Sequence, residues 1–186
     1  MASSKAHHAT GWAAGIIAAA IVGHMGNIGS AQGIDKTSGG MYYLYLALAL
    51  LAGVAGATAP DWLEVAWWSK RRKLWITHRT LTHWGIGWGA LLALSWHLLR
   101  EHPAAAVGFG FACGGIMHLL ADWPNPLGVP WIGPRHSLNL WTSGTCDLIV
   151  VGLSWVAAFY VVDDLWFHHA HVRMLLNAVH VLTGPA

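Results

Sequence analysis

The feature that most constrains this chain is a series of five apolar segments, each close to the length that crosses a bilayer as a helix. They run from about Thr10 to Ile28, Met41 to Ala59, Leu81 to Leu99, Ala104 to Asp122, and Cys146 to Val162. A spanning helix needs about 20 mostly apolar residues, with a range of roughly 17 to 25. With 55% hydrophobic and only 10% charged residues, the chain suits lipid rather than water. The expected fold is therefore all-α, a polytopic membrane helix bundle of about five transmembrane helices. Residues 1–186 form a single integral membrane domain, since no charge run or Pro/Ser-rich stretch divides them.

Local signals agree with these limits. Pro60 and Pro124 close the second and fourth segments, and Thr80 or Thr82 is placed to cap the third. The stretch from Trp123 to Gly144 contains Pro124, Pro126, Pro130 and Pro134 and cannot be a helix, so a structured loop at the membrane interface is expected. From His171 to Leu182, apolar Val172, Leu175, Leu176, Val179 and Leu182 suit a short helix lying on the surface, a C-terminal interfacial helix. Many tryptophans flank the apolar runs (Trp62, Trp67, Trp68, Trp75, Trp84, Trp123, Trp131 and Trp141), where an aromatic belt lies. Glycine pairs at four-residue spacing, Gly11 with Gly15, Gly85 with Gly89 and Gly110 with Gly114, predict close helix packing.

Positive charge sets an expected orientation. If five helices alternate, Lys5, Lys70, Arg71, Arg72, Lys73, Arg79 and Arg135 share one side, against Lys36, Arg100 and Arg173 on the other. The richer side should be cytoplasmic, with the N-terminus inside. A net charge of +2 gives no ground for a nucleic-acid partner. Cys113 and Cys146 have no CxxC spacing, so neither a disulfide framework nor a zinc ribbon is indicated.

Hydropathy and Lys/Arg alone define that topology, yet it gathers the ionisable residues on one face. His7 and His8 precede the first helix, Asp61 and Glu64 follow the second, His78, Arg79 and His83 open the third, His118 and Asp122 close the fourth, and Asp147 opens the fifth. His118 and Asp122, at i and i+4, can ligate one ion together or hydrogen-bond each other. A carboxylate in an apolar segment marks function or a specific partner. Asp61 after Pro60 suits a turn as well as a ligand. In the string from His78 to His83, two imidazoles flank Arg79, whose planar fork fits a phosphate or carboxylate. His24, His97, His102, His168, His169, His171 and His180 fall to the far half and need only boundary roles, while His136 is left open.

These strings, in this order, resemble the YdjM family, described as LexA-regulated, membrane-bound, metal-dependent hydrolases. The family's patterns are a His with Gly four residues on, Leu-Pro-Asp-x-Asp, His-Arg-Gly-x-Thr-His-Ser, and His-x-x-x-Asp before a Pro/Gly loop. Their counterparts are His7 with Gly11, the string from Ala59 to Leu63, that from His78 to His83, and His118 to Asp122 leading into Pro126 to Pro130. The match is strongest over residues 5–147. The family's second Asp is Leu63 here, its Gly after His-Arg is Thr80, and Asp147 stands where the family tends to carry Glu.

The resemblance implies a hydrolase with a metal site at the cytoplasmic edge of a bacterial inner membrane. The expected metal ligands are His83, His118 and Asp122, with Asp61 as fourth ligand or base and His78 and His7 as ligands or supports; Asp61, Arg79 and His78 form the catalytic set. Mixed His and carboxylate donors suit Zn²⁺ first, with Mn²⁺ or Fe²⁺ behind it. Losing the carboxylate at Leu63 favours one ion over two. The expected partners are the lipid bilayer and a phospholipid or other phosphate-containing substrate, with a homo-oligomer left open. The competing reading is a non-catalytic membrane protein that binds metal or haem or serves interaction.

Overall fold

The computed structural model describes residues 3–31, 39–67, 81–140 and 144–183, and among them finds α-helices and no strand. The helices are α1 (Ser4–Ala31), α2 (Gly39–Gly56), α3 (Ala59–Trp67), α4 (Gly85–Leu98), α5 (Ala105–Asp122), α6 (Thr145–Phe167) and α7 (Ala170–Thr183), with a 3₁₀ turn at Leu81–His83. The all-helical expectation holds. Two helices, α5 and α6, are long and apolar enough to cross a bilayer. In contrast α4, with 14 residues, is about 21 Å long at 1.5 Å per residue, short of a hydrocarbon core of about 30 Å.

Several boundaries differ from the sequence expectation, for identifiable reasons. Pro60 does stand beyond the end of α2, but it lies in the first turn of α3, where a missing N–H is no loss. The third apolar segment becomes helical only at Gly85, not Leu81. Thr82 does not cap it, since Trp84 is the N-cap residue and makes no side-chain cap; Thr80 lies outside the described residues. Instead the N–H groups of Gly85 and Ile86 donate to the carbonyls of Pro130 and Trp131, both at 3.0 Å. The Pro-rich loop thus serves as the cap of α4. It is structured, as expected, and Val129 pairs with His136 in an antiparallel bridge.

Helices α1, α2 and α5 pack mutually, α4 lies on α5, α6 on α1, and α7 on α6. Small residues make this possible. A Cβ on Gly114 would collide with the carbonyl oxygen of Gly53, and one on Gly110 with that of Ala49. The predicted pairs Gly11 with Gly15 and Gly110 with Gly114 therefore do serve helix contacts. The third pair does not. Gly85 admits Trp131 of the loop, and nothing lies within 4 Å of a Cβ placed on Gly89.

Helix α6 has the inverse of a soluble helix's pattern. It buries Ser154, Ala158 and Asp163 and exposes Leu148, Ile149, Leu153, Val156 and Phe159. Large apolar side chains outside and small or polar ones inside suit a helix that faces lipid. At its end, His168 and His169 adopt positive φ, which stops the helix. The buried Asp163 carboxylate then accepts the N–H groups of His171 (3.1 Å) and Val172 (3.0 Å), capping α7.

The α2–α5 contact should tolerate no added volume. Gly114→Val is expected to cost about 1–3 kcal/mol through forced backbone shifts, while Gly89→Ala is neutral or mildly stabilising. Thermal unfolding of the purified variants in detergent measures both; equal behaviour would contradict the packing described.

Candidate metal centre

Antiparallel packing brings the start of α1, the end of α2, the turn before α4 and the end of α5 to one place. Helix α3 supplies Asp61 from its first turn, where a carboxylate is favoured by the helix dipole. His83 comes from the 3₁₀ turn, His118 and Asp122 from consecutive turns of α5, and His7 from α1. His7, His83, His118 and Asp122 are all buried, whereas the Asp61 side chain is 41% exposed.

Four of these donors converge. The Nε2 atoms of His83 and His118 are 3.2 Å apart. Asp61 Oδ1 lies 3.5 Å from His83 Nε2 and 3.7 Å from His118 Nε2. Asp122 Oδ2 lies 3.5 Å from His118 Nε2 and 4.0 Å from His83 Nε2. Donors placed tetrahedrally at about 2.0–2.1 Å from an ion are about 3.3–3.4 Å from one another. The five separations above bracket that value, so His83 and His118 together with either carboxylate fit a small divalent cation. Among the described residues the nearest donor to the buried Asp61 Oδ1 is His83 Nε2 at 3.5 Å, a weakly satisfied arrangement that a cation would resolve.

The surroundings orient these donors. His118 Nδ1 donates to the carbonyl of Ala57 at 2.7 Å, which fixes the tautomer and turns the Nε2 lone pair toward the cluster. Asn125 Nδ2 donates to Asp122 Oδ1 at 3.4 Å, and His7 Nε2 approaches the same oxygen at 3.7 Å. Asp122 Oδ2 faces the other donors. Trp88 Nε1 donates to the carbonyl of Thr82 at 2.7 Å, holding the turn that carries His83. Burial keeps the His83 imidazole below its usual pKa, against the opposing pull of Asp61, so it favours the neutral form that ligates. For Asp61, burial acts upward, but the facing His83 and the neighbouring imidazoles of His118 and His7 outweigh it and hold the carboxyl below the usual range.

His7 also belongs to a second set of three, with His118 and Asp122. Its ring stacks on that of His118, centroids 4.0 Å apart. Both sets need His118, whose Nδ1 is committed to Ala57, so one nitrogen cannot fill two sites at once. His7 therefore stands beside the four-donor cluster as a support for Asp122.

The expected ligands His83, His118, Asp122, Asp61 and His7 are thus brought together. His78 and Arg79 lie outside the described residues, as does the side chain of Glu64. Asp147 stays out of the cluster: its Oδ2 accepts the N–H of Ser3 at 3.0 Å and anchors the start of α1. His136 accepts a hydrogen bond at Nδ1 from Trp123 Nε1 (2.9 Å), a role within the loop. Leu63 packs in the apolar cluster of Ala59, Trp88, Leu119 and Val129. Asn125 and the Ala57 carbonyl were not foreseen. Asn125 had a signal, a polar side chain between two prolines three residues after Asp122; the carbonyl had none.

The family model of the YdjM inner membrane proteins matches residues 1–183. The chain belongs to that family. Membership places it among inner membrane proteins, in keeping with α5 and α6. No curated protein and no solved structure matches the chain.

Two substitutions separate ligation from support in this YdjM family member. His118→Ala should abolish high-affinity zinc binding, while Asn125→Ala, which leaves every donor in place, should weaken it by about 10–100-fold. Competition with a chromogenic chelator measures both; unchanged affinity in His118→Ala would remove that residue from the site.

Proposed function

We propose that this protein is a metal-dependent hydrolase acting at the cytoplasmic face of the inner membrane, on a phosphoester or ester in a lipid-like substrate. The observation that carries the reading is the convergence of Asp61, His83 and His118, with Asp122 beside both imidazoles, buried but for one half-exposed edge at Asp61. A structural site is closed, whereas a catalytic one keeps an accessible position. The mixed donors suit Zn²⁺, with Mn²⁺ or Fe²⁺ behind it. A divalent ion held there supplies Lewis acidity and lowers the pKa of its water to about 7.

The chain's own groups divide the remaining work. His83 and His118 hold the ion as neutral imidazoles, and Asp122 adds charge while Asn125 and His7 keep it oriented. Asp61, at the exposed edge, serves as fourth ligand or as the base that takes a proton during attack. Arg79, four residues before His83, is assigned by its chemistry to the negative charge that develops on the substrate, and His78 to ligation or support.

In the membrane, α1, α2, α4, α5 and α6 are read as five alternating spans, α4 reaching the interface with its flanking residues. The Lys/Arg bias puts the N-terminus and the site inside. Helix α7, which has no buried residue, lies in the interface with Leu175, Leu176, Val179 and Leu182 toward lipid.

A haem reading is not favoured. Carboxylates stand among the histidines, and imidazole nitrogens 3.2 Å apart leave no slot for a porphyrin. Purified protein should contain stoichiometric metal and hydrolyse para-nitrophenyl phosphate or a fluorogenic phospholipid in vesicles. Chelation should remove the activity and zinc should restore it, and Asp61→Asn should lower kcat by about 100-fold or more as expected for a lost base. Metal uptake with no esterase or phosphatase activity would favour a binding protein; protein that neither contains nor takes up metal would end the proposal.

A further inference from the structure

The loop from Trp123 to Leu140 has two properties that capping α4 does not require. It turns apolar side chains outward: Ile132 is 80% exposed, Leu140 62%, Leu127 50% and Leu138 39%. Its backbone is nonetheless largely paired within the protein. Val129 and His136 exchange two hydrogen bonds, at 2.9 and 3.0 Å. The N–H groups of Gly128, Leu138 and Leu140 donate to the carbonyls of Asn125, Trp123 and Pro124. Pro124, Pro126, Pro130 and Pro134 have no N–H to satisfy. Irregular backbone enters the apolar part of a bilayer only when its polar groups are met internally, and the two arms of this loop, on either side of residues 132–135, meet much of that condition.

Its position supports the same conclusion. The loop begins where α5 ends and stops shortly before α6 begins, and among the described residues those two helices are long and apolar enough to cross the membrane. Headgroup level is where such a connection lies. Through Val129 and Trp131 the loop also shares an apolar cluster with Ala59 and Leu63 of α3, the helix that carries Asp61. Beside the metal centre, Trp62 is 49% and Leu81 71% exposed.

We propose that the loop, with Trp62 and Leu81, forms an apolar collar immersed in the headgroup–acyl boundary, so that the Asp61 edge of the centre draws an amphiphile directly from the bilayer. The partner surface is the lipid itself. The inference rests on the hydrolase reading above, to which it adds the side from which substrate arrives. A water-soluble phosphate compound would have no use for such a rim.

The test measures depth without needing activity. In a Cys113→Ala, Cys146→Ser background, where serine keeps the donor that Cys146 offers to the Leu140 carbonyl, an environment-sensitive fluorophore is placed by Ile132→Cys or Leu140→Cys, and at Glu101→Cys as an exposed control. The full chain is reconstituted in nanodiscs of phosphatidylcholine and phosphatidylglycerol, and metal content is measured on the same samples. At positions 132 and 140 the expected result is blue-shifted emission, quenched by brominated lipid more than by aqueous iodide, with the order reversed at 101. Iodide quenching at both loop positions would overturn the collar, as would shielding from both quenchers, which would indicate a second copy covering the loop. Either failure with metal retained leaves the hydrolase reading standing. Lipid quenching in protein that binds no metal would support the immersed loop and sink the hydrolase reading instead.

Discussion

The candidate metal centre depends on how closely α2 and α5 approach. Where Gly114 faces the carbonyl of Gly53, and Gly110 that of Ala49, no side chain separates the two backbones. That contact brings the end of α2 within reach of α5, so that the Ala57 carbonyl receives the Nδ1 proton of His118. A carbonyl at a helix end has no partner within its own helix; here it instead orients an imidazole. Small residues at the interface, often a matter of helix association alone in lipid, therefore determine the direction of a ligand lone pair.

Around that contact the structure brings together groups that would otherwise repel or remain unsatisfied. Each of two carboxylates lies within 4.0 Å of the same two imidazoles, three of the four groups buried, in surroundings where an unpaired charge is costly. Helices α1 and α3 and the Pro-rich loop each contribute to holding the arrangement. Asp147 secures the first turn of α1 and so places His7. The loop caps α4, and Trp88 steadies the turn before it, which together place His83. The supporting interactions are spread over elements far apart in sequence, whereas the donors themselves lie at the ends of a few helices.

That division explains what could be read from the sequence. His118 and Asp122 were legible because helix periodicity puts i and i+4 on one face, and Asp61 and His83 because a pattern of alternating apolar segments assigns their ends to one side. Glycine spacing correctly indicated Gly110 with Gly114 but misled at Gly85 and Gly89, since spacing cannot show whether a helix or a loop arrives at a small residue. The nine-residue α3 was not foreseen, because Pro60 reads as a helix stop as readily as a first turn. Asn125 and His136 show the same limit from opposite sides. Both lie in a Pro-rich loop whose path follows from long-range backbone pairing, and only that path turns one toward Asp122 and the other toward Trp123.

X-ray absorption at the zinc edge of the purified, zinc-loaded protein tests this account most directly, because it reports the donors themselves and not a consequence of binding. The geometry predicts two imidazoles and at least one carboxylate oxygen at about 2.0–2.2 Å, with one imidazole lost in His118→Ala. A spectrum without imidazole scattering, or protein that retains no zinc after gel filtration, would contradict it.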